Sequence, residues 1–169
     1  MHKLYEKLVK NGEVTEIDIL TELNENNVKK DKAVIAQKLV SNFKKDSIYN
    51  RIKKSEKVLC EVPFSLKINK DEKEFNNLVE MKESSQALVS GIIDLVFKED
   101  DGWVILDYKT NVMDKKEDLE TLKKYYSNQL KLYSVAFEKI SGEKVKSRVL
   151  CFVRGMNDAG SGIEIVEVC

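Results

Sequence analysis

Charged residues in the middle of two apolar runs constrain this chain more than any other feature. The runs GIIDLVF (91–97) and WVILDYKT (103–110) are separated only by the turn-like KEDDG (98–102), which predicts a β-hairpin. Both runs are apolar on both faces, which is typical of central strands covered by helices on each side. Burying a charge in such strands is costly unless a partner compensates it, so the charged positions are candidates for function.

The hairpin predicts that three charged side chains converge. A turn centred on residues 100–101 places Asp94 directly opposite Asp107, at a Cβ distance of about 4.5–5.5 Å where like charges repel. Lys109 returns to the face of Asp107 because side chains alternate along a strand. A divalent cation between the carboxylates would turn repulsion into binding, and Asp oxygens are hard ligands suited to Mg2+ or Mn2+. The alternative is that Asp94 is an edge-strand charge and Asp107 a strand-end residue.

Two carboxylates and a lysine on one spot suit the cleavage of phosphodiesters. A cation held there would neutralise a phosphate, lower the pKa of a bound water and orient both for in-line attack. Lys109 would hold the attacking water and stabilise the charge that grows in the transition state. Taken alone, Lys109 is equally well explained as a solvated strand-end lysine.

Composition limits the class of protein. The chain has 169 residues, the size of one domain. Lys plus Arg and Asp plus Glu both number 29, and a net charge of zero argues against a general nucleic-acid coat. No apolar run approaches the roughly 18 residues that span a bilayer, and the charged start MHKLYEKLVK is unlike a signal peptide. A cytoplasmic protein is expected, with Cys60, Cys151 and Cys169 as reduced thiols rather than ligands of zinc or an iron–sulfur cluster.

Periodicity predicts helices at 2–10, 15–23, 31–45 and about 48–53, a strand at 58–68, hairpin strands at 88–97 and 103–108, and then a helix at 117–139 and strands at 146–153 and 163–168. In the strand at 58–68, the even-numbered residues are expected to share one buried face. The polar residues 69–85 are expected to form a mobile connection or a solvent-facing loop. The long helix makes the strands at 103–109 and 146–153 parallel neighbours or near neighbours. This order predicts an α/β domain with a mixed sheet.

Polar residues also interrupt the long helix. Its predicted inner stripe, ended by Gly142, consists of Tyr126, Gln129, Leu130, Tyr133, Ala136, Phe137 and Ile140. A buried amide needs a hydrogen-bond partner. For Gln129 the partner is either a backbone carbonyl or, in the alternative, a group on the active-site strands or the DNA backbone. Gly91 inside a strand indicates a bulge or a close approach by DNA or a helix. His2, taken alone, is best explained as a frayed end.

The ordered motifs G-I-I-D (91–94), D-Y-K-T (107–110) and Y-x-x-Q-L-x-x-Y (126–133), with E-V-P-F (61–64) upstream, resemble the RecB-type nuclease domain of the PD-(D/E)XK superfamily. The resemblance covers nearly the whole chain. It implies a single domain, 1–169, whose restriction-endonuclease-like α/β core at about 57–169 has a mixed sheet flanked by helices. An N-terminal helical part occupies about 1–56.

The resemblance implies roles for individual residues. Asp94 and Asp107 match the metal-binding acids, and the backbone carbonyl of Tyr108 and the side chain of His2 are implied as further metal ligands. Lys109 matches the catalytic lysine, so the implied catalytic set is Asp94, Asp107 and Lys109. The implied cofactor is Mg2+, for which Mn2+ would substitute.

Further positions match less directly. Gln129, Tyr133 and Tyr126 match a helix motif that lies near the active site and DNA. Glu61 matches a recurrent position and is assigned no metal role. Phosphate contacts are expected from lysines near the start of the long helix, although a solvated helix face is the better explanation for most of them: Lys115, Lys116, Lys123 and Lys124.

Nuclease domains of this family belong to bacterial helicase–nucleases of the AddAB and RecBCD type, which trim unwound DNA for recombinational repair of double-strand breaks. The chain has no GxxxxGK[ST] phosphate loop, so we expect an excised exonuclease domain without helicase or ATPase activity. The implied partners are single-stranded DNA ends, the helicase part of the same polypeptide and an AddB-type subunit, with no membrane. The alternatives are a non-catalytic DNA-binding or scaffold module that retains the fold, and another magnesium phosphotransfer enzyme, which no nucleotide-binding loop supports.

Overall fold

The computed structural model describes residues 1–75, 78–79, 86–110, 116–154 and 162–168, except for the side chains of 116–119 and 154. The elements are α1 His2–Asn11, α2 Glu16–Glu25, α3 Ala33–Lys45, α4 Ser47–Lys54, β1 Lys57–Asn69, β2 Gln86–Glu99, β3 Gly102–Lys109, α5 Lys116–Ser141, β4 Val145–Arg154 and β5 Gly162–Val168. Every predicted helix and strand is confirmed, with its ends within two residues of the prediction. Gly142 follows α5 with a φ of 73°, a left-handed conformation that ends helices and favours glycine.

The five strands form one mixed sheet in the order β1-β2-β3-β4-β5. All neighbours are antiparallel except β3 and β4, which α5 connects as parallel neighbours. In the hairpin, Leu95 pairs with Leu106 and Val96 pairs with Ile105, which is the predicted register. The predicted α/β fold class is confirmed.

Each face of the sheet is covered by a different helical layer. On one face α1–α4 pack against the strands around the buried rings of Tyr5, Phe43 and Tyr108. On the other face α5 packs against the strands through residues such as Leu130 and Phe137. Trp103 and Ile105 of β3 belong to the α5 layer, and strand alternation therefore puts Asp107 on that same face.

The alternation of side chains in β1 reverses at Glu61. Val58 and Cys60 pack against the α1–α4 layer, whereas Val62 and Phe64 pack against the α5 layer. Glu61 has a φ of 53°, a left-handed conformation that is uncommon for a residue with a side chain. The prediction that the even-numbered residues of 58–68 share one face was therefore wrong before Glu61, because one left-handed residue flips the strand.

The alternation of β2 reverses at Asp94, directly beside the reversal in β1. Ile93 packs in the α5 layer and Leu95 in the α1–α4 layer. Cys60 pairs with Leu95, and Val62 pairs with Ile93, so Glu61 and Asp94 are opposite each other in the register. Asp94 therefore lies where the side chains of both strands change the layer that they face.

Three further expectations are corrected. Phe75, in a short 3-10 helix at Lys73–Phe75, is buried in the α5 layer, so this part of 69–85 is not a solvent-facing loop; residues 76–77 and 80–85 lie outside the described residues. Leu88 and Ile92 are exposed, so the first half of β2 is covered on one face only. Ile140 is exposed at the end of α5, beyond the inner stripe. Among the described helices, none has the length and apolar content to span a membrane.

Candidate active site

Asp94 lies where the hairpin ladder stops. The pairing of β2 with β3 ends at Leu95 and Leu106, and Asp94 and Asp107 are the next positions in that register. The Asp94 carboxylate accepts a hydrogen bond from the backbone N–H of Tyr108, with Oδ2 and N 2.8 Å apart. The carboxylate is therefore held against the edge of β3 at the end of the hairpin.

Asp107 is a buried carboxylate, with 3% of its surface exposed. Its Oδ2 forms an ion pair with the Lys109 ammonium, 2.5 Å from Nζ. Among the described residues, this buried oxygen has no hydrogen-bond partner of good geometry. A buried carboxylate oxygen with unused lone pairs has the capacity to bind a further cation.

The electrostatic surroundings link the two acids. Burial raises the pKa of Asp107, and the negative charge of Asp94 raises it further, against the opposing effect of Lys109. Burial also raises the pKa of Asp94; the Tyr108 N–H opposes this shift and the charge of Glu61 adds to it. Clustered like charges of this kind are typical of functional sites, where a cation relieves the repulsion.

His2 lies beside Asp94 although 92 positions separate them in the sequence. Its Nδ1 is 3.6 Å from Asp94 Oδ2, and its ring is 5.7 Å from the Tyr108 ring, centre to centre. Burial lowers the pKa of His2, and the positive N-terminus lowers it further. Both effects favour the neutral imidazole, which is the form that binds metals.

Two side chains of α5 contact Lys109, and a third contacts one of these two. Its Nζ donates a hydrogen bond to Gln129 Oε1 at 2.8 Å and lies 4.2 Å from the centre of the Tyr126 ring. Gln129 Nε2 in turn donates to the Tyr133 hydroxyl at 3.0 Å. The Gln129 amide therefore binds a side chain of the active-site strand β3, which is one of the expected partners, and, within the described part of the chain, not a backbone carbonyl. The ammonium is held by a carboxylate, an amide and a ring face.

Neighbouring side chains approach the backbone closely at Gly91, as a glycine inside a strand predicted. A Cβ at Gly91 would lie 2.9 Å from Phe64 Cε1 and 3.4 Å from Tyr133 Cε1. Of the two expected neighbours, DNA and a helix, the structure shows α5, together with the ring of Phe64 on β1. The glycine allows Tyr133 to pack down on the sheet, which places Gln129 within reach of Lys109.

The donor set fits a hard divalent cation in its chemistry. Asp94 and Asp107 supply carboxylate oxygens, among them the buried Asp107 Oδ2, whose one partner among the described residues is the Lys109 ammonium, and His2 is poised as a neutral nitrogen donor. The N–H and C=O of one strand residue point to the same side, so the Tyr108 carbonyl is on the side of β3 that faces β2, as is the N–H that Asp94 binds. The described His, Cys, Asp and Glu side chains nowhere form a ready-made group of three around one point, so binding would require these donors to draw together.

Two nearby residues were not predicted as part of the site. Glu61 acts electrostatically on Asp94 and His2. Its signals in the sequence are an acid between the apolar runs of one strand and the match to a recurrent family position, to which no metal role was assigned. Tyr125 precedes the Y-x-x-Q motif and is exposed. Of the lysines expected to contact phosphates, Lys123 and Lys124 line a surface cleft, while Lys115 lies outside the described residues, as does the side chain of Lys116.

A mixed sheet between two helical layers, with two acids and a lysine at the end of its hairpin, defines a restriction-endonuclease-like protein. The model of the PD-(D/E)XK nuclease superfamily matches residues 1–166 of the chain. The chain belongs to this superfamily, and the family expected from the sequence motifs is confirmed.

Each of the most similar curated relatives is named as an ATP-dependent helicase/nuclease subunit, so the predicted likeness to AddAB-type enzymes is confirmed. The protein of Thermoanaerobacter sp. (strain X514) is 39% identical over 111 residues, which are 66% of this chain and 9% of the relative. That of Clostridium novyi (strain NT) is 32% identical over 161 residues, 92% of this chain and 13% of the relative. The chain thus spans only about a tenth of the length of these relatives. A solved structure titled "Crystal structure of SSO0001" has a TM-score of 0.42 and 16% identity over 89% of this chain and 60% of that chain.

Proposed function

We propose that this chain is a divalent-metal-dependent deoxyribonuclease domain that removes nucleotides from unwound DNA. The residues that carry the proposal are Asp94, Asp107 and Lys109, because the buried carboxylate of Asp107 lies between a second acid and an ammonium. Its Oδ2 has no hydrogen-bond partner of good geometry among the described residues and pairs with that ammonium alone. Membership of a nuclease superfamily over residues 1–166 supports the same function. We assign the whole chain to one domain, with a helical part at about 1–56 and a catalytic core at about 57–169.

The residues of the site have separate tasks in this proposal. Asp94 and Asp107 would hold the cation, with His2 and the Tyr108 carbonyl as further ligands and with waters and phosphate oxygens in the remaining positions. A bound Mg2+ or Mn2+ would neutralise the phosphate and lower the pKa of the attacking water. Lys109 orients that water and stabilises the negative charge that develops on the phosphate oxygens.

The side chains around Lys109 position its ammonium. Gln129 accepts from Nζ, and Tyr133 fixes the amide orientation by accepting from Nε2. The Tyr126 ring limits the ammonium from a third side. These contacts with Asp107, Gln129 and Tyr126 hold the ammonium in place before any substrate binds. Preorganised electrostatic stabilisation of this kind is usually the largest single term in enzyme catalysis.

The similar proteins suggest the larger enzyme in which this domain acts. Their name joins a helicase to a nuclease in one subunit, and this chain aligns with about a tenth of their length. We therefore propose that it acts in the bacterial cytoplasm as the exonuclease part of an AddAB-type enzyme, whose other parts are a helicase and an AddB-type subunit. Its substrate would be single-stranded DNA that the helicase delivers during recombinational repair of double-strand breaks.

A cleavage assay with matched variants tests the proposal. End-labelled single-stranded DNA is incubated with Mg2+ or Mn2+ and the parent chain, Asp107→Asn or Lys109→Met. We expect the parent to release short products, and each variant to cut at least about 100-fold more slowly, the scale of losing one preorganised charge. Asp101→Asn is the control, because Asp101 is an exposed acid in the turn of the same hairpin, and it should cut like the parent.

Metal binding is measured separately by calorimetry with Mn2+. Asp107→Asn should lose the binding that the parent shows, whereas Lys109→Met should retain it, because the lysine carries no ligand atom. Cleavage that survives Asp107→Asn would contradict the proposal. DNA binding without cleavage by any form would instead indicate a non-catalytic module with the same fold.

A further inference from the structure

Tyr125 is a large aromatic side chain that the protein leaves in solvent. Within the described part of the chain it is the one aromatic residue among the exposed large hydrophobic side chains, with a relative exposure of 71%. A single exposed apolar residue is normal on a soluble protein. The position of this ring relative to the candidate site is what gives its exposure meaning.

Two contacts connect the Tyr125 ring with the Lys109 ammonium. The rings of Tyr125 and Tyr126 are 5.0 Å apart, centre to centre, and nearly perpendicular at 82°. Tyr126 in turn lies 4.2 Å below the ammonium of Lys109, which is paired with Asp107. Tyr125 is also one helical turn before Gln129, so the two share a side of α5. The exposed ring is therefore at the rim of the candidate site.

A basic cleft runs along the same helix. It encloses about 370 Å³, and its lining includes Lys123, Lys124 and Lys131 with the single acid Glu120. The polar side chains of Ser127 and Asn128 lie between the lysines. Lys124 directly precedes Tyr125 in the chain. Tyr125 does not line the cleft; it projects about 100° around the helix from Lys124. A strand that crosses the outward face of α5 would therefore meet the ring on one side and the lysines on the other. Lysines that follow the phosphates and a ring that stacks on bases together bind single-stranded nucleic acid.

We propose that Tyr125 stacks on a base of an unpaired DNA strand and that the lysines of this cleft hold the adjoining phosphates. The inference rests on the proposed nuclease function and adds to it a contact that selects unpaired bases. In duplex DNA the base faces are covered by neighbouring bases, so the ring would engage only a strand that has been opened. The contact is tolerant of sequence because every base offers a stacking face.

A binding experiment without metal isolates this contact from cleavage. Labelled oligothymidylate and an oligomer of the same length made of abasic nucleotides are titrated with the chain in EDTA, and fluorescence anisotropy is recorded. The parent should bind the oligothymidylate more tightly than the abasic strand. Tyr125→Ala should weaken oligothymidylate binding by about 5- to 150-fold, the scale of one lost base–aromatic stack. It should leave abasic binding unchanged, because the lysine contacts remain.

Two matched variants separate stacking from other effects. Tyr125→Phe and Tyr125→Trp keep a ring and should retain the preference for strands with bases. Ile140→Ala removes another exposed apolar side chain from the same helix and should change neither affinity. Circular dichroism and thermal unfolding of every variant should match the parent, since Tyr125 is on the surface.

Equal affinity of the parent for both strands, or no binding to either, would overturn the inference. The inference would also be overturned if Tyr125→Ala kept the parent's preference for strands with bases. The exposed ring would then be better explained as a contact for another protein. In cleavage assays with Mg2+, Tyr125→Ala should raise KM while kcat stays within about twofold. If the chain cuts DNA but shows no preference for strands with bases, only the stacking inference is contradicted. If the chain prefers strands with bases but never cuts them, only the nuclease proposal is contradicted.

Discussion

Lys109 shows how single residues of the site depend on one another. An ammonium loses hydration when it is buried, and hydrogen bonds to a charged group are stronger than neutral ones. The carboxylate of Asp107, the amide of Gln129 and the ring of Tyr126 replace that hydration. Their arrangement decides where the ammonium points, and we propose that Gln129 contributes to the chemistry by positioning Lys109.

Gln129→Met should slow DNA cleavage by about 10- to 150-fold. The substitution keeps the size of the side chain and removes one hydrogen bond to a charged group, an interaction of about 1.5–3 kcal/mol. The rate is measured under single-turnover conditions, so that binding and product release do not contribute. Tyr133→Phe is the control: it removes only the hydroxyl that accepts from Gln129 Nε2 and should cost less than Gln129→Met. A parent-like rate for Gln129→Met would show that the amide does not position Lys109.

At the scale of elements, local signals set where helices begin. Thr15 precedes α2, and its Oγ1 accepts a hydrogen bond from the Asp18 N–H while the Asp18 carboxylate accepts from the Thr15 N–H. This reciprocal capping box forms although Asp replaces the more common Glu or Gln at the third position. The cap aligns α2 for packing through Ile19 and Leu23, both buried in the α1–α4 layer.

Thr15→Ala should lower the free energy of unfolding by about 1 kcal/mol, the usual cost of losing a helix N-cap. Urea denaturation monitored by circular dichroism measures the change. Thr21→Ala makes the same chemical change at an exposed position inside α2 and should be neutral or slightly stabilising, because alanine is the better helix former. An equal loss in both variants would argue against the cap as the cause.

The reversal at Glu61 and Asp94 is the other feature that acts on whole elements. It shifts the alternation of both strands by one position, so that residues two apart face opposite layers: Cys60 and Val62 in β1, and Ile93 and Leu95 in β2. The Asp94 carboxylate is at the crossover and can approach α1 through His2 and β3 through Tyr108. A regular strand at this point would direct the acid toward a single layer.

At the scale of the molecule, an ion-pair cluster connects the helical layer with the sheet. Arg51 of α4 donates two hydrogen bonds to the Glu99 carboxylate of β2, at 2.9 and 3.1 Å. Lys146 of β4 lies 2.8 Å from the same carboxylate and also pairs with Asp101. Hydrogen bonds from Arg51, followed by those from Lys146, lower the pKa of Glu99 to about 2.

Glu99→Gln should therefore lower stability near neutral pH and have a smaller effect in acid. The native carboxylate has a pKa below the ordinary value of 4.5, so its stabilising effect is full above that value and is lost as the pH falls toward about 2. We expect a difference of about 1 kcal/mol at pH 7, the upper range for solvent-accessible pairs. Urea unfolding at several pH values between these limits measures it.

Asp100→Asn is the matched control for this substitution, because it neutralises an exposed acid next to Glu99. Its effect on stability should be small across the same range of pH. A difference between parent and Glu99→Gln that stays constant from neutral pH to pH 3 would contradict the assignment of stability to the Glu99 carboxylate.

Local chemistry in the sequence was enough to determine the hairpin, its register and therefore the neighbouring positions of Asp94 and Asp107. Turn residues, strand alternation and helical periodicity act over a few residues, so the chain displays them directly. The motif spacing likewise identified the superfamily, which the match over residues 1–166 shows.

Only the folded structure decided what surrounds that hairpin. The contact of His2 with Asp94, the choice of Lys109 as the partner of Gln129, and the burial of Phe75 join residues far apart in the chain. The flip at Glu61 is local, but its left-handed backbone has no signal in the residue type. These features result from packing two helical layers on opposite faces of one sheet, a balance of many distant contacts that no short segment encodes.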